Sequence, residues 1–153
     1  MKVWAEKTGI NFQSLDISPI VSLLEKLLEN EEMFVRQSTA RALAVHYVKK
    51  GKTKEIEALL VHKDESVHGF AILGLMDSAY HKADITRQLP LLERIAQYGK
   101  HPEYDICDTE QALIALALHY QNKGDAESIA RLKEKADKHF HPFIDGALEA
   151  RCQ

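Results

Sequence analysis

The strongest constraint on the fold of this chain is an internal repeat. Residues 42–51 and residues 115–124 are identical at seven of ten positions, and the two segments lie 73 positions apart. The match continues beyond them, because Ile56 then aligns with Ile129. Self-similarity over such a distance predicts copies of one supersecondary unit that stack to share a core.

A weaker middle copy lies between these two segments. At an offset of 32 or 33 residues from the first copy, Val35 aligns with Val67 and Tyr47 aligns with Tyr80. The three copies are therefore spaced by about 33 and then by about 40 residues. This period is typical of helical hairpins that pack side by side.

The periodicity of apolar residues is helical almost everywhere, and strict alternation over the length of a strand is lacking. Helix starts are predicted at Ser18, which precedes Pro19, and at Asp64 and Asp105, whereas helix ends are predicted at Gly51, Gly99 and Gly124. The pattern predicts eight helices, at about 19–30, 33–50, 53–62, 65–82, 86–98, 105–123, 125–139 and 142–151. Short connections between them predict antiparallel hairpins.

Two of the copies open with similar segments: residues 30–37 read NEEMFVRQ, and residues 63–68 read KDESVH. These segments resemble the opening of a HEAT repeat, in which an acidic residue precedes a Val-Arg pair, with His68 in the arginine position of the second. The third opening, from Asp105, keeps the acid and an aliphatic residue but lacks the base. The resemblance covers about residues 18–151. It implies an all-α fold, a short right-handed α-α superhelix (a HEAT-like solenoid) of about four antiparallel hairpins.

On this reading the chain is a single domain over residues 1–153. Residues 1–17, with Trp4, form an N-terminal cap, because solenoid ends need covering. Three repeats and a C-terminal cap helix follow, at 18–62, 63–99, 100–139 and 140–153. Tetratricopeptide-like packing is the competing architecture, and the uneven spacing of the copies favours the HEAT-like one.

Composition excludes several classes of protein. With 20 basic and 23 acidic residues the formal net charge is −3, which argues against a general nucleic-acid binder. No apolar run approaches the length of a membrane span, and the chain does not open with a secretory signal pattern. Two cysteines form no disulfide framework, which is typical of a cytoplasmic protein.

No catalytic constellation is recognisable, so we expect a non-enzymatic protein-protein interaction module without a cofactor. A solenoid would bind a protein partner through the exposed faces of the second helices of its hairpins. Helical geometry places these residues on such faces: Lys54, Glu57, Arg87, Arg94, Glu127, Arg131 and Glu134.

A cluster of acids begins the third copy. Between residues 101 and 122 there are four acids and no Lys or Arg; the acids are Glu103, Asp105, Asp108 and Glu110. They either complement the dipole of a helix N-terminus or form a patch that binds a basic partner. The second interpretation has a specific form, a bacterial immunity protein that neutralises a toxin such as a nuclease. A less favoured alternative is a nucleic-acid-binding, DNA-glycosylase-like HEAT protein, because acids interrupt the basic stripe that it requires.

Three further groups of residues are weaker candidates for chemistry. His46 and His119 occupy equivalent repeat positions and are expected to be packing histidines. His139 and His141, together with Cys152, could suggest a metal site. Residues two apart do not share a helix face, so the two histidines are expected to lie in a polar turn instead. Cys107 follows Asp105, and the surrounding acids oppose formation of a reactive thiolate.

Overall fold

The computed structural model describes residues 15–97 and 101–152, with only the backbone described at 151 and 152. Eight α-helices lie in these residues: α1 Val21–Leu27, α2 Met33–Lys50, α3 Thr53–Leu60, α4 Glu65–Tyr80, α5 Leu89–Ile95, α6 Ile106–Asn122, α7 Ala126–Lys135 and α8 His141–Cys152. Short 3₁₀ turns precede α1, α5 and α8. The described residues contain no strand, so the prediction of an all-α chain is confirmed.

The eight predicted helices all form, and the differences lie at their ends. The fifth is shorter than predicted, because a 3₁₀ turn at Thr86–Gln88 comes first and Pro90 then lies in the first turn of α5. Ser18 is not an N-cap: it begins a 3₁₀ turn, and Asp16 accepts hydrogen bonds from its backbone N–H and its hydroxyl. Asp64 and Asp105 cap α4 and α6 as predicted.

The three long helices α2, α4 and α6 form the centre of the molecule. They pack on one another in order, and each is the long helix of one copy. Residues 39–47 of α2 and residues 112–119 of α6 are buried on every side, as expected for helices enclosed by neighbours. One large apolar cluster runs through all three, and a second around Phe140 joins α6 to α8.

Contacts at both ends show that the long helices run in the same direction. Near their N-terminal ends Arg36 binds Asp64 and His68 binds Asp108, whereas near the C-terminal ends the Asn122 amide donates to the carbonyl of Ala79. The N-terminal ends therefore lie together at one edge of the molecule. The C-terminal ends lie together at the opposite edge.

Helices α2 and α4 approach closely where Gly74 faces α2. A Cβ at Gly74 would lie 2.8 Å from the backbone oxygen of Arg41 and 2.8 Å from the Cβ of Ala44. Close by, Arg41 pairs with Asp77, with an Nη2–Oδ1 distance of 3.0 Å. Burial raises the pKa of the Asp77 carboxyl, and the guanidinium partly opposes this effect. Arg41 and Asp77 therefore neutralise each other close to the contact between α2 and α4, so that neither charge is buried without a partner.

The middle copy corresponds to the other two differently from the sequence alignment. The left-handed residue that ends each long helix is Gly51 in the first copy, Lys82 in the second and Gly124 in the third. Counted from this residue, the counterpart of Tyr47 is Ser78 and not Tyr80. The three counterparts make equivalent hydrogen bonds. The backbone carbonyls of Tyr47, Ser78 and Tyr120 each accept from the backbone N–H five residues later, at 2.8–2.9 Å.

Some predictions fall on residues that are not described. The predicted N-terminal cap with Trp4 lies almost entirely outside the described residues, and so do the side chain of Cys152 and the expected helix end at Gly99. In the described part of the chain, the helices are too short or too polar to cross a bilayer.

Candidate functional site

The N-terminal edge is the surface formed by the turns and first residues that lead into the long helices, residues 29–34, 61–65 and 103–106. Its first link joins the first copy to the second. The Arg36 Nε lies 2.8 Å from an oxygen of Asp64, while Arg36 Nη1 donates to the carbonyls of Asn30 and Glu31. Because Asp64 also caps α4, this arginine fixes the start of α4 against the turn before α2.

The second link joins the second copy to the third through His68. Its Nδ1 lies 2.8 Å from the carbonyl of His62, and its Nε2 lies 3.2 Å from Oδ2 of Asp108. Both ring nitrogens therefore face oxygen acceptors, an arrangement that only the imidazolium satisfies completely. The hydrogen bond to Asp108 is the main reason why the pKa of His68 is raised above its usual value.

Tyr104 adds a third link across the same edge. Its hydroxyl donates to the carbonyl of Leu60 at 2.8 Å, and its ring meets His68 edge-on, with 5.3 Å between the ring centroids. The turn before α6 is therefore tied to the end of α3 and to α4. These links hold the three turns of the N-terminal edge in one arrangement.

The outward side of the N-terminal edge combines apolar and acidic residues. Phe34 is 74% exposed and Val61 is 63% exposed, and Met33 and Ile106 are about half exposed. Six acids are also exposed there: Glu29, Glu31, Glu32, Glu65, Glu103 and Asp105. Lys63 is the single exposed base in these three segments. Single exposed apolar side chains are common on protein surfaces, but several on one edge with charged residues around them are typical of an interaction surface.

The predicted acidic cluster of the third copy is divided by the structure. Asp108 does not belong to an exposed patch: it is buried, its carboxylate binds His68, and it completes a capping box with Asp105. Glu110 is half-buried, and burial raises the pKa of its carboxyl. Glu103 and Asp105 remain on the N-terminal edge. The capping interpretation therefore describes Asp105 and Asp108, and the patch interpretation keeps only the two exposed acids.

The residues predicted on the second helices are all exposed, but they do not form one surface of uniform charge. Lys54 and Glu57 lie on α3, Arg87 on the 3₁₀ turn before α5, Arg94 on α5, and Glu127, Arg131 and Glu134 on α7. Arg131 pairs with Glu127 one turn away, at 3.3 Å. This mixture of signs does not give the continuous basic stripe that nucleic-acid binding requires.

The remaining candidates have ordinary structural surroundings. His141 Nε2 lies 2.7 Å from the carbonyl of Lys133, and His139 is exposed beside Asp137. The Cys107 thiol has a raised pKa, first because of partial burial and then because of Asp105, Glu110 and Asp108. Among the described side chains no three His, Cys, Asp or Glu residues converge as metal ligands would.

The C-terminal edge, residues 49–52, 81–84 and 121–125, has the opposite character. Its exposed bases are Lys49, Lys50, Lys52, Lys82 and Lys123. His46 and His119 lie buried just inside it, and burial lowers the pKa of both imidazoles, with Lys50 and Lys123 adding to the effect. The two histidines are therefore packing residues in equivalent surroundings.

Sequence reasoning missed Phe34, Val61 and Ile106 as surface residues. Phe34 and Ile106 carried a usable signal, since each lies within two positions of a residue that begins or caps a long helix, where a side chain points away from the bundle. No family model, curated protein or solved structure matches the chain. Function is therefore inferred from these surfaces.

Proposed function

We propose that the chain is a non-enzymatic protein-binding module that uses its N-terminal edge to bind a partner with a basic and partly apolar surface. One observation carries the proposal: exposed Phe34, Val61 and Ile106 occur on the same edge as six exposed acids and a single exposed lysine. Apolar anchors surrounded by charge are the usual composition of a non-obligate interface.

The links below the surface support rigid recognition. Arg36, His68 and Tyr104 connect the three turns to their neighbours, so the exposed residues are presented by backbone that is already ordered. Binding to such a surface costs little conformational entropy. The acids add a long-range attraction that speeds association with a basic partner and weakens as salt rises.

We also propose that the three copies form a short HEAT-like α-α superhelix. The parallel long helices and the short helices between them support this arrangement. The basic residue of one copy pairs with an acid of the next in the order that stacked repeats require, first Arg36 with Asp64 and then His68 with Asp108. The free thiol of Cys107 is consistent with a reducing cytoplasm.

A bacterial immunity protein that neutralises a nuclease toxin is a narrower form of the same proposal. A nuclease presents basic residues to phosphates. The acids of the N-terminal edge, which span all three copies, are complementary to such a surface. This form predicts that the partner loses its nucleic-acid binding when it is bound here.

The test is site-specific photo-crosslinking in the cell that encodes the chain. A photoreactive amino acid replaces Phe34 or Ile106 on the N-terminal edge, or Lys50 on the C-terminal edge as a control. We expect one protein to be crosslinked from both N-terminal positions and not from Lys50. Mass spectrometry identifies it, and the purified partner is then titrated against the chain.

Two matched variants decide which surface binds. Glu31→Lys combined with Glu65→Lys reverses two charges on the N-terminal edge and should weaken binding of the purified partner about tenfold or more. Glu57→Lys combined with Glu134→Lys makes the same change on the second helices and should leave affinity within about twofold. Loss of binding in the second variant alone would show that the second helices form the interface and would refute the proposal.

A further inference from the structure

His68 lies buried at the junction between the second and third copies, directly beneath the N-terminal edge. Its Nδ1 faces the backbone carbonyl of His62, in the turn between α3 and α4, at 2.8 Å. Its Nε2 faces Oδ2 of Asp108, in the first turn of α6, at 3.2 Å. One imidazole ring therefore connects the turn that carries Val61 to the start of the next long helix.

The two helices are close to each other at this point. A Cβ at Gly69, next to His68, would lie 3.1 Å from Oδ1 of Asp108. The ring of Tyr104 meets the imidazole edge-on, and its hydroxyl is bound to the carbonyl of Leu60. A change in the charge of His68 therefore acts on its hydrogen-bond partners, because a ring packed in this way has little freedom to turn aside.

The protonated and the neutral ring satisfy these partners differently. The imidazolium donates from both nitrogens, whereas neutral imidazole has a single N–H. A hydrogen bond to a charged acceptor is roughly twice as strong as one to a neutral acceptor, so the remaining N–H stays on Nε2, toward the carboxylate of Asp108. The lone pair of Nδ1 then faces the carbonyl of His62, and an attractive contact becomes repulsive.

Charged and titratable groups lie around His68 on the neighbouring elements. They are Asp105 and Asp108 at the start of α6, Tyr104 before it, His62 and Asp64 in the turn before α4, Glu65 in α4, and Arg36 of α2, which reaches the site through Asp64. The hydrogen bond to Asp108 is the main reason why the pKa of His68 is raised, and burial opposes it. Burial raises the pKa of the Tyr104 phenol, which therefore stays neutral when the imidazole titrates.

The two segments that His68 connects are not equally secured. The start of α6 is held by the capping box between Asp105 and Asp108, which does not involve the imidazole. In the turn before α4, the carbonyl of His62 is bound to the imidazole. The turn ends at Asp64, which caps α4 and pairs with Arg36. Loss of the bond from Nδ1 therefore loosens the turn and the start of α4, and leaves the start of α6 in place.

We propose that His68 is a proton-operated switch beneath the N-terminal edge. The imidazolium holds the turn between α3 and α4 against α6, and loss of one proton releases that turn while Asp108 stays bound. Val61 lies in the released turn, so the surface that binds the partner is complete only when His68 is protonated. This consequence rests on the proposed function. The release of the turn is measured on the chain alone, so its failure is distinct from a failure of partner binding.

The test follows the isotope-labelled chain by NMR spectroscopy between about pH 5.5 and pH 8.5. Long-range proton–nitrogen spectra report the ring of His68, and we expect the neutral ring to carry its proton on Nε2. Amide hydrogen exchange, corrected for its intrinsic dependence on pH, reports the two helix starts. Protection of the Asp64 and Ser66 amides should fall about tenfold as the ring loses its proton, whereas the Asp108 and Thr109 amides should keep theirs within about twofold.

Three variants complete the experiment. Asp108→Asn removes the charge but keeps an oxygen that can accept from both the imidazole and the N–H of Asp105, so the midpoint of the release should fall by about one pH unit or more. Glu65→Gln, which removes an exposed acid near the ring, should move the midpoint by less than about 0.3 unit. His62→Asn removes the second imidazole of the turn but keeps an acceptor for the Asp64 N–H, so the release should persist.

Three results would overturn the proposal. The first is a neutral His68 with its proton on Nδ1. The second is loss of protection at Asp108 in place of Asp64. The third is a release of the turn that does not follow the titration of the His68 ring, either in the unaltered chain or in Asp108→Asn.

Discussion

The two edges of the molecule are made by the same three long helices but are held together by different means. At the N-terminal edge, side chains from different copies bond to each other, as Arg36 does with Asp64 and His68 with Asp108. At the C-terminal edge each helix ends in a backbone turn closed by hydrogen bonds within one copy, and a side-chain hydrogen bond from Asn122 to the carbonyl of Ala79 crosses between copies. Stability at the first edge therefore depends on tertiary partners, and stability at the second depends mainly on local backbone conformation.

The largest effect is expected at the N-terminal edge, from Asp108→Ala. The change removes the carboxylate that satisfies buried His68 and also breaks the capping box of α6. We expect the free energy of unfolding to fall by about 3 kcal/mol, measured by urea denaturation, because loss of one member of a buried pair leaves the other unsatisfied.

Glu103→Ala is the control for that measurement, because it removes an exposed acid of the same edge and should change stability by less than about 0.5 kcal/mol. A loss below about 1 kcal/mol for Asp108→Ala would mean that water replaces the carboxylate around His68. The contrast between the two edges would then be wrong.

A smaller effect is expected at the C-terminal edge, from Gly51→Ala or Gly124→Ala. Both glycines have φ near +67°, and a Cβ at either would meet nothing within 4 Å, so only the backbone conformation opposes the change. We expect each substitution to cost about 1–2 kcal/mol in thermal or urea unfolding. Gly146→Ala, in α8 and equally free of neighbours, should instead stabilise by about 0.5–1 kcal/mol, since helices favour alanine.

Lys82→Gly tests the same edge in the opposite direction. Lys82 has φ of 64°, the conformation that glycine adopts in the other two copies. Glycine should relieve the strain and stabilise the protein by up to about 1 kcal/mol, part of the gain being offset by the greater freedom of the unfolded chain. Lys50→Gly, at the last residue of α2 where φ is negative, should instead destabilise by about 0.5–1 kcal/mol. Destabilisation by both changes would show that the lysine side chain, and not its backbone, is needed at position 82.

The sequence predicted those features that depend on local chemistry. Gly51 and Gly124 mark helix ends because glycine adopts positive φ without a steric cost, and Asp64 and Asp105 mark helix starts because a short carboxylate reaches the free N–H groups. The middle copy was misaligned at its end because Lys82 gives no such signal, so the identity of tyrosines suggested a correspondence that the backbone does not have.

Features that depend on distant partners were not predictable in the same way. The sequence offered two roles for Asp108, at a helix start or in an exposed patch. It did not predict the pairing with His68, because nothing nearby in sequence indicates a partner 40 positions away. The incomplete burial of Ile129 and Leu132 on α7 was not predicted either, although their counterparts Ile56 and Leu59 on α3 are fully buried. Sequence patterns define which face of a helix is apolar, but they do not indicate whether a neighbour arrives to cover it.

The smallest expected effect is a pH dependence with opposite signs at the two edges. His68 has a raised pKa in the folded protein, chiefly because of Asp108, with burial opposing and the His62 carbonyl and Glu65 contributing. Its contribution to stability is therefore complete below the unfolded value of about 6.5 and is lost as pH rises through the higher folded value.

His46 and His119 have lowered pKa values, chiefly because of burial, with Asp16 and Asp84 opposing. Their contribution is complete above about 6.5 and is lost as pH falls through their lower folded values.

Urea unfolding between about pH 5 and pH 8 separates these contributions when single histidines are replaced. His68→Gln should remove the loss of stability on the alkaline side, and His119→Gln should reduce the loss on the acid side, since a glutamine does not titrate in either range. The two variants should thus tilt the stability profile in opposite directions. Profiles that tilt in the same direction would mean that the histidines of the two edges change their proton affinity on folding in the same sense. The pairing of His68 with Asp108 would then not raise the pKa of His68.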